Sequence, residues 1–233
     1  MDYFLYRNGS LYAEDVAVAD IAAAVGTPFY VYSTATLLRH FKLFDDALAD
    51  MDHLICYAMK AASNQAIIKT LAQAGAGMDV VSGGEYSRAK AAGVSTDRIV
   101  FSGVGKTVDE ITTALKGGIR QFNVESEPEM VVLNRVAGEM GVIAPITVRV
   151  NPDVDAKTHA KIATGMSENK FGIPISRARK VYETAGAMPH LDVIGIDVHI
   201  GSQLTDLAPF ELAYQKVAEL AEQLRFDGHD IRR

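Results

Sequence analysis

The chain has 233 residues, 48% of them apolar and 22% charged, with a formal net charge of -6. That balance describes a globular protein able to bury a sizeable core in one or two domains, and it excludes a disordered chain. The acidic excess argues against a nucleic-acid binder, which carries a basic face. Cys56 is the single cysteine, so neither an intramolecular disulfide nor a cysteine-based zinc cluster can form. The start, Met1-Asp2-Tyr3-Phe4, lacks the basic-then-apolar pattern of a signal peptide, and no apolar run reaches membrane length; a cytoplasmic location is the expectation.

Residues 1–32 come first and stand apart. They hold strand-like pieces at 3–6 and 29–32, a turn at Asn8-Gly9 and a small helix over 18–25. This predicts an N-terminal extension belonging to another domain. From residue 33 onward, short apolar runs alternate with amphipathic stretches. Strands are predicted at 54–59, 77–81, 99–102, 121–125, 146–150 and 193–200. Helices are predicted at 64–74, 85–92, 108–116, 127–140, 176–187 and 209–224. Gly75, Gly93, Gly117-Gly118 and Gly141 close helices, and Ser126 reads as an N-cap before Glu127-Pro128-Glu129.

Repeated strand-then-helix order implies parallel strands with crossover helices. The expected fold class is α/β, a (β/α)8 TIM-type barrel, present over 33–233 as six units. The strand ends argue for a barrel: Lys60, Ser82, Glu125, Asn151 and His199 sit at the C-terminal ends of different strands. A barrel collects function there, whereas an open sheet gathers its ligand groups at one switch point. Closure needs eight units, and Asp230-Ile231-Arg232-Arg233 falls where a seventh strand should start. The expectation is an incomplete barrel whose C-terminal partner domain lies in other sequence, and which is inactive by itself.

Strand alternation assigns directions. Lys60 shares a face with Ala58 and Cys56, Asp79 with Gly77 and Val81, Arg149 with Thr147 and Asn151, and His199 with Asp197 and Gly195. The intervening residues are bulky and apolar and should face the helices. Ionisable groups therefore point inward from four strands. A lysine at the top of a barrel strand is suited to Schiff-base chemistry. The plain alternative is a strand-ending lysine whose stem is buried and whose head reaches water; convergence of the four groups weighs against it.

Gly201-Ser202-Gln203 offers backbone N–H groups and a hydroxyl suited to an anion, although alone it is an ordinary turn. Gly103-Val104-Gly105-Lys106-Thr107 is not a P-loop, because the first glycine of that motif would fall on Val100. The six histidines show no metal-ligand spacing.

Six collinear strings carry a resemblance. They are Gly26-Thr27-Pro28-Phe29-Tyr30-Val31-Tyr32, Tyr57-Ala58-Met59-Lys60-Ala61, Asp79-Val80-Val81-Ser82-Gly83-Gly84-Glu85, Arg149-Val150-Asn151-Pro152-Asp153, Asn169-Lys170-Phe171-Gly172 and His199-Ile200-Gly201-Ser202-Gln203. Together they resemble the fold-type III pyridoxal-phosphate decarboxylases, within them the diaminopimelate decarboxylase branch. The resemblance implies a pyridoxal 5'-phosphate cofactor and decarboxylation of meso-2,6-diaminopimelate to L-lysine and carbon dioxide, the last step of bacterial lysine biosynthesis. It implies that Lys60 carries the cofactor, His199 stacks on its ring and Ser202 binds its phosphate. By the same likeness Arg149 lies beside its phenolic oxygen and Asp79 lies behind the lysine and histidine. It also implies a homodimer with Lys170 near the interface. Ala62 departs from the family, which has asparagine there. The family's glycine-rich phosphate loop, the glutamate that pairs with the pyridine nitrogen and the C-terminal β domain are not in this sequence. Alternatives are an ornithine-, arginine- or carboxynorspermidine-type decarboxylase, a non-catalytic pyridoxal-phosphate-binding barrel, and a purely structural domain.

Overall fold

The first strands form around the Asn-Gly turn. In the computed structural model, which describes residues 2–154, 171–202 and 204–233, β1 (Phe4–Arg7) and β2 (Ser10–Ala13) pair antiparallel across it. Asn8 (φ 50°) and Gly9 (φ 81°) both take the left-handed conformation that a two-residue hairpin turn demands. β3 (Val16–Ala17) adds a third strand, and α1 (Val18–Val25) follows with no buried residue. The strand expected at 29–32 does not form. Tyr30 and Tyr32 instead stack on each other, with ring centroids 6.5 Å apart, and remain exposed.

A helix that the periodicity reading passed over comes next, α2 (Thr34–Ala47). Its signals are local: the Ser33 hydroxyl accepts the Thr36 N–H at 3.0 Å as an N-cap, and Leu37 and Phe41, one turn apart, pack on the core. Ser33 and the Ala35 N–H both donate to the Glu14 carboxylate, at 2.8 and 2.9 Å, which ties the extension to this helix.

The main sheet holds β4 (Cys56–Ala58), β5 (Gly77–Val80), β6 (Ile99–Phe101), β7 (Gln121–Val124), β8 (Ala144–Asn151) and, after the two-residue β9 (Ile173–Pro174), β10 (Leu191–Asp197). The alternating helices are α3 (Gln65–Gln73), α4 (Gly83–Ala91), α5 (Val108–Lys116), α6 (Glu127–Met140), α7 (Ile175–Gly186) and α8 (Ala208–Phe226). Strand order is β4-β5-β6-β7-β8-β10 and every pair is parallel, with β9 beside β8. The order never reverses, so there is no switch point; this is a (β/α)8 TIM-type barrel over six of its units, not closed. The Arg232 N–H donates to Ile194 O at 2.8 Å and the Ile196 N–H to Arg233 O at 3.0 Å, so the last residues lie along the β10 edge.

The helices begin where the caps dictate. Ser82 accepts the Glu85 N–H, Thr107 and Glu110 form a reciprocal capping box, and Ser126 accepts the Glu129 N–H. Outward-facing strand residues, among them Met78, Val80, Phe101, Phe122, Val124 and Ile146, are fully buried against them. Five of the six predicted strands are longer than the real ones, and two of these differences bear on the site. β4 ends at Ala58, and a 3-10 turn over Met59–Ala61 carries Lys60 towards the Asn64 cap of α3. β10 stops at Asp197, leaving His199 two residues beyond the ladder. Its register shifts between Val193 and Gly195, which changes which side chains face in along its first half.

Candidate active site

The inner face of the sheet is polar, and its groups bond sideways. Thr147 Oγ1 donates to Asn123 Oδ1 at 2.8 Å. Asn123 Nδ2 donates to Ser102 Oγ at 3.0 Å, and Ser102 Oγ donates to Asp79 Oδ1 at 2.6 Å. This chain runs from β8 to β5 through residues that the parallel register sets side by side, such as Asn123 and Thr147. Each member offers what its neighbour lacks, so desolvation of the polar interior is offset.

Above it lies an ionic layer. Glu125, just past β7, accepts the Gly103 N–H on Oε1 at 2.8 Å and Arg149 Nη1 on Oε2 at 2.7 Å. Both side chains are buried, and Arg149 Nε finds no partner among the described residues. The Phe171 ring covers the guanidinium at 5.9 Å. Asn151 Nδ2 holds Phe171 O at 2.7 Å, and Gly172 follows at φ 80°. A Cβ at Gly172 would come within 2.8 Å of Asn151 Oδ1, so only glycine lets this segment lie so close to β8.

These layers floor a cleft of about 430 Å³ at the C-terminal strand ends, within the usual range for a small-molecule site. Lys60, Asp79, Arg149, His199 and Ser202, the residues singled out from the sequence, all line it. Ser82 and Asn151, also at strand ends, do not: one caps α4 and the other lies behind Phe171. Lys170 and Gln203 fall outside the described residues. Sequence reasoning missed Ser102 and Asn123 as cleft residues. The signal was available for Asn123, which alternates between the buried Phe122 and Val124.

The electrostatics differ from group to group. Desolvation pushes the Asp79 carboxyl above its usual range, opposed by the Ser102 hydroxyl and the Lys60 charge. Asp197 is pushed up to about 6 by desolvation, with Asp79 and Glu125 adding repulsion against the attraction of Arg149. His199 is pushed down, first by desolvation and then by Arg149 and Lys60, so its imidazole is neutral at neutral pH. Cys56, lower on the inner face, is raised to about 11 by burial and is an inert thiol.

An amine, a guanidinium, a hydroxyl and a flat neutral imidazole around one barrel mouth make this cleft the candidate ligand site of a lysine-bearing barrel protein. The chain belongs to the pyridoxal-dependent decarboxylase family: the model of that family's pyridoxal binding domain matches residues 34–233. The diaminopimelate decarboxylase of Vibrio cholerae is 56% identical over 233 residues, which is 100% of this chain and 56% of that protein. The crystal structure of the Helicobacter pylori diaminopimelate decarboxylase complexed with L-lysine superposes with a TM-score of 0.88 at 42% identity, over 92% of this chain and 55% of that one. The M. jannaschii enzyme in co-complex with L-lysine reaches 0.91 at 36% identity, over 98% and 54%. The chain thus spans about half the length of the relatives it matches.

Proposed function

We propose that this chain is the cofactor-bearing barrel of a diaminopimelate decarboxylase, which converts meso-2,6-diaminopimelate to L-lysine and carbon dioxide. What carries the reading is the convergence of Lys60, Asp79, Arg149, His199 and Ser202 on one cleft. Likeness to enzymes of that name along the whole of this chain supports this substrate among those of pyridoxal-dependent decarboxylases.

The residues fit pyridoxal 5'-phosphate. A flat, anionic aldehyde needs an amine, hydrogen-bond donors for its oxygens and a flat neighbour. The cleft supplies Lys60, the buried Arg149 guanidinium, the Ser202 hydroxyl and the His199 ring. When bound, the cofactor supplies an electron sink for the pair left behind as carbon dioxide departs. The chain's own part is orientation. Lys60 Nζ would be the nucleophile towards the aldehyde carbon, and the Asp79 carboxylate attracts that amine by opposite charge. His199, kept neutral, sets the plane of the ring without adding positive charge to it. Arg149, fixed by Glu125, offers donors to an anionic oxygen, and Ser202 does so for phosphate.

The same reading takes residues 1–32 as part of a second domain, which the separate β1–β3 sheet supports. It takes the whole protein as a cytoplasmic homodimer with Lys170 near its interface. Among the described residues no helix is long and apolar enough to cross a membrane.

The test uses the full-length protein. Carbon dioxide release should follow addition of meso-diaminopimelate and pyridoxal phosphate. Ornithine and arginine should give none, and borohydride should fix the cofactor onto Lys60. Turnover of ornithine or arginine in preference to diaminopimelate would overturn the substrate; label on another residue would overturn the site.

A further inference from the structure

One buried cation next to the cleft has no part in the reading above. Lys106, in the loop between β6 and α5, has a side chain 0% exposed. An ammonium has three donors, and all are taken: Gly103 O at 2.6 Å, Asn123 O at 2.8 Å and Glu129 Oε1 at 2.7 Å. Glu129 Oε2 accepts the Glu125 N–H at 3.0 Å. Glu125 in turn accepts the Gly103 N–H and Arg149 Nη1. The contacts close into a ring, Lys106–Glu129–Glu125–Gly103–Lys106, that joins the β6–α5 loop, the end of β7 and the first turn of α6. Gly103, at φ 94°, takes a conformation that favours glycine, and both its N–H and its carbonyl are used by the ring. Among the described residues Arg149 joins this ring through Glu125.

A buried ion pair is a poor way to gain stability, because desolvation offsets most of the attraction; well-packed apolar residues often do as well or better. What it supplies here is geometry. With every donor of Lys106 and both oxygens of Glu129 and Glu125 engaged, the Glu125 carboxylate has one orientation. The guanidinium bonded to it inherits that orientation.

The geometry points to Lys106 as a positioning residue for the ligand site: through Glu129 and Glu125 it fixes the Arg149 guanidinium that meets an anionic oxygen of the ligand. The identity of that ligand, pyridoxal phosphate, rests on the function proposed above.

A double-mutant cycle on the full-length apoprotein tests this, with pyridoxal phosphate affinity read by absorbance titration and folding by urea midpoint. Lys106→Met should weaken binding about tenfold in the wild-type background and less than about twofold when Arg149→Gln is present, since the path to the ligand is then already cut. Glu129→Gln should show the same dependence on background, and it carries the test if Lys106→Met does not fold. Lys106→Arg, which keeps the cation, should recover part of the affinity. Equal loss in both backgrounds would mean that Lys106 only supports the fold, and overturns the inference alone. A wild-type protein that takes up no pyridoxal phosphate overturns the functional reading and this inference together.

Discussion

The two faces of the barrel sheet are built from the same strands and obey different rules. The outer face carries Met78, Val80, Phe122, Val124, Ile146 and Val148, all fully buried against helices. The inner face carries Asp79, Asn123, Thr147 and Arg149 at the positions between them. Parallel strands covered on both sides normally read as continuous apolar runs. Here every second residue breaks the run, and nearly all these breaks are joined to a neighbour on the next strand. The outer face gains stability from area removed from water, without direction. The inner face gains little net stability and a great deal of direction, as the Glu125 carboxylate held between the Gly103 N–H and Arg149 Nη1 shows.

If the division holds, inner-face changes should cost function and outer-face changes should cost folding. The largest effect is expected at Lys60, which lines the cleft and is solvent-exposed. Lys60→Ala in the full-length protein should lower diaminopimelate turnover about 10³-fold or more and leave the melting temperature nearly unchanged. A variant that keeps full activity would remove Lys60 from the site. On the outer face, Phe122 is 0% exposed and stacks on Phe101 at 5.9 Å. Phe122→Ala should destabilise by about 3–5 kcal/mol in urea unfolding, while the fraction that folds binds pyridoxal phosphate with unchanged affinity. Loss of affinity without loss of stability would contradict the division.

A smaller effect is expected at His199. Its proposed role is a flat surface, and an aromatic stacking contact contributes about 0.5–1.5 kcal/mol. His199→Ala should therefore weaken cofactor binding about three- to tenfold, and His199→Phe should recover part of that in the same titration. Equal losses would indicate an acid–base role instead. An effect of similar size, on stability rather than binding, concerns Asp197. Its folded pKa, about 6, lies above the usual carboxylate value, so the native state binds its proton more tightly than the unfolded chain. Stability from this group is present below about pH 4 and is lost as pH rises through about 6. Asp197→Asn should remove that loss. Relative to wild type, the variant should gain about 1–2 kcal/mol between about pH 4 and about pH 7.5, a figure reduced for the partial exposure of the carboxylate. Urea midpoints at the two ends check this; a difference independent of pH would show that Asp197 is not desolvated.

Much of the architecture was legible because its signals act over a few residues. The Asn8-Gly9 turn, the cap at Ser126, and the inward directions of Lys60, Asp79 and Arg149 follow from local backbone preference and strand alternation. The α2 helix shows the limit of periodicity alone, since its clearest mark was a single capping serine. Strand ends were less legible. The strand expected over 54–59, with Lys60 at its end, stops at Ala58, and His199, expected within a strand over 193–200, lies past the end of β10 at Asp197.

The sequence by itself determined the fold class, the inward side of the strands that carry Lys60, Asp79 and Arg149, and the residue types gathered at the strand ends, because alternation and capping are decided between near neighbours. Only the tertiary structure decided which of those groups meet. Glu125 reaches Arg149 across 24 residues of chain, and Lys106 reaches Glu129 across 23. Such pairings depend on the lateral register of strands separated by a helix, and that register is set by how the outer face packs rather than by any preference within the strands themselves.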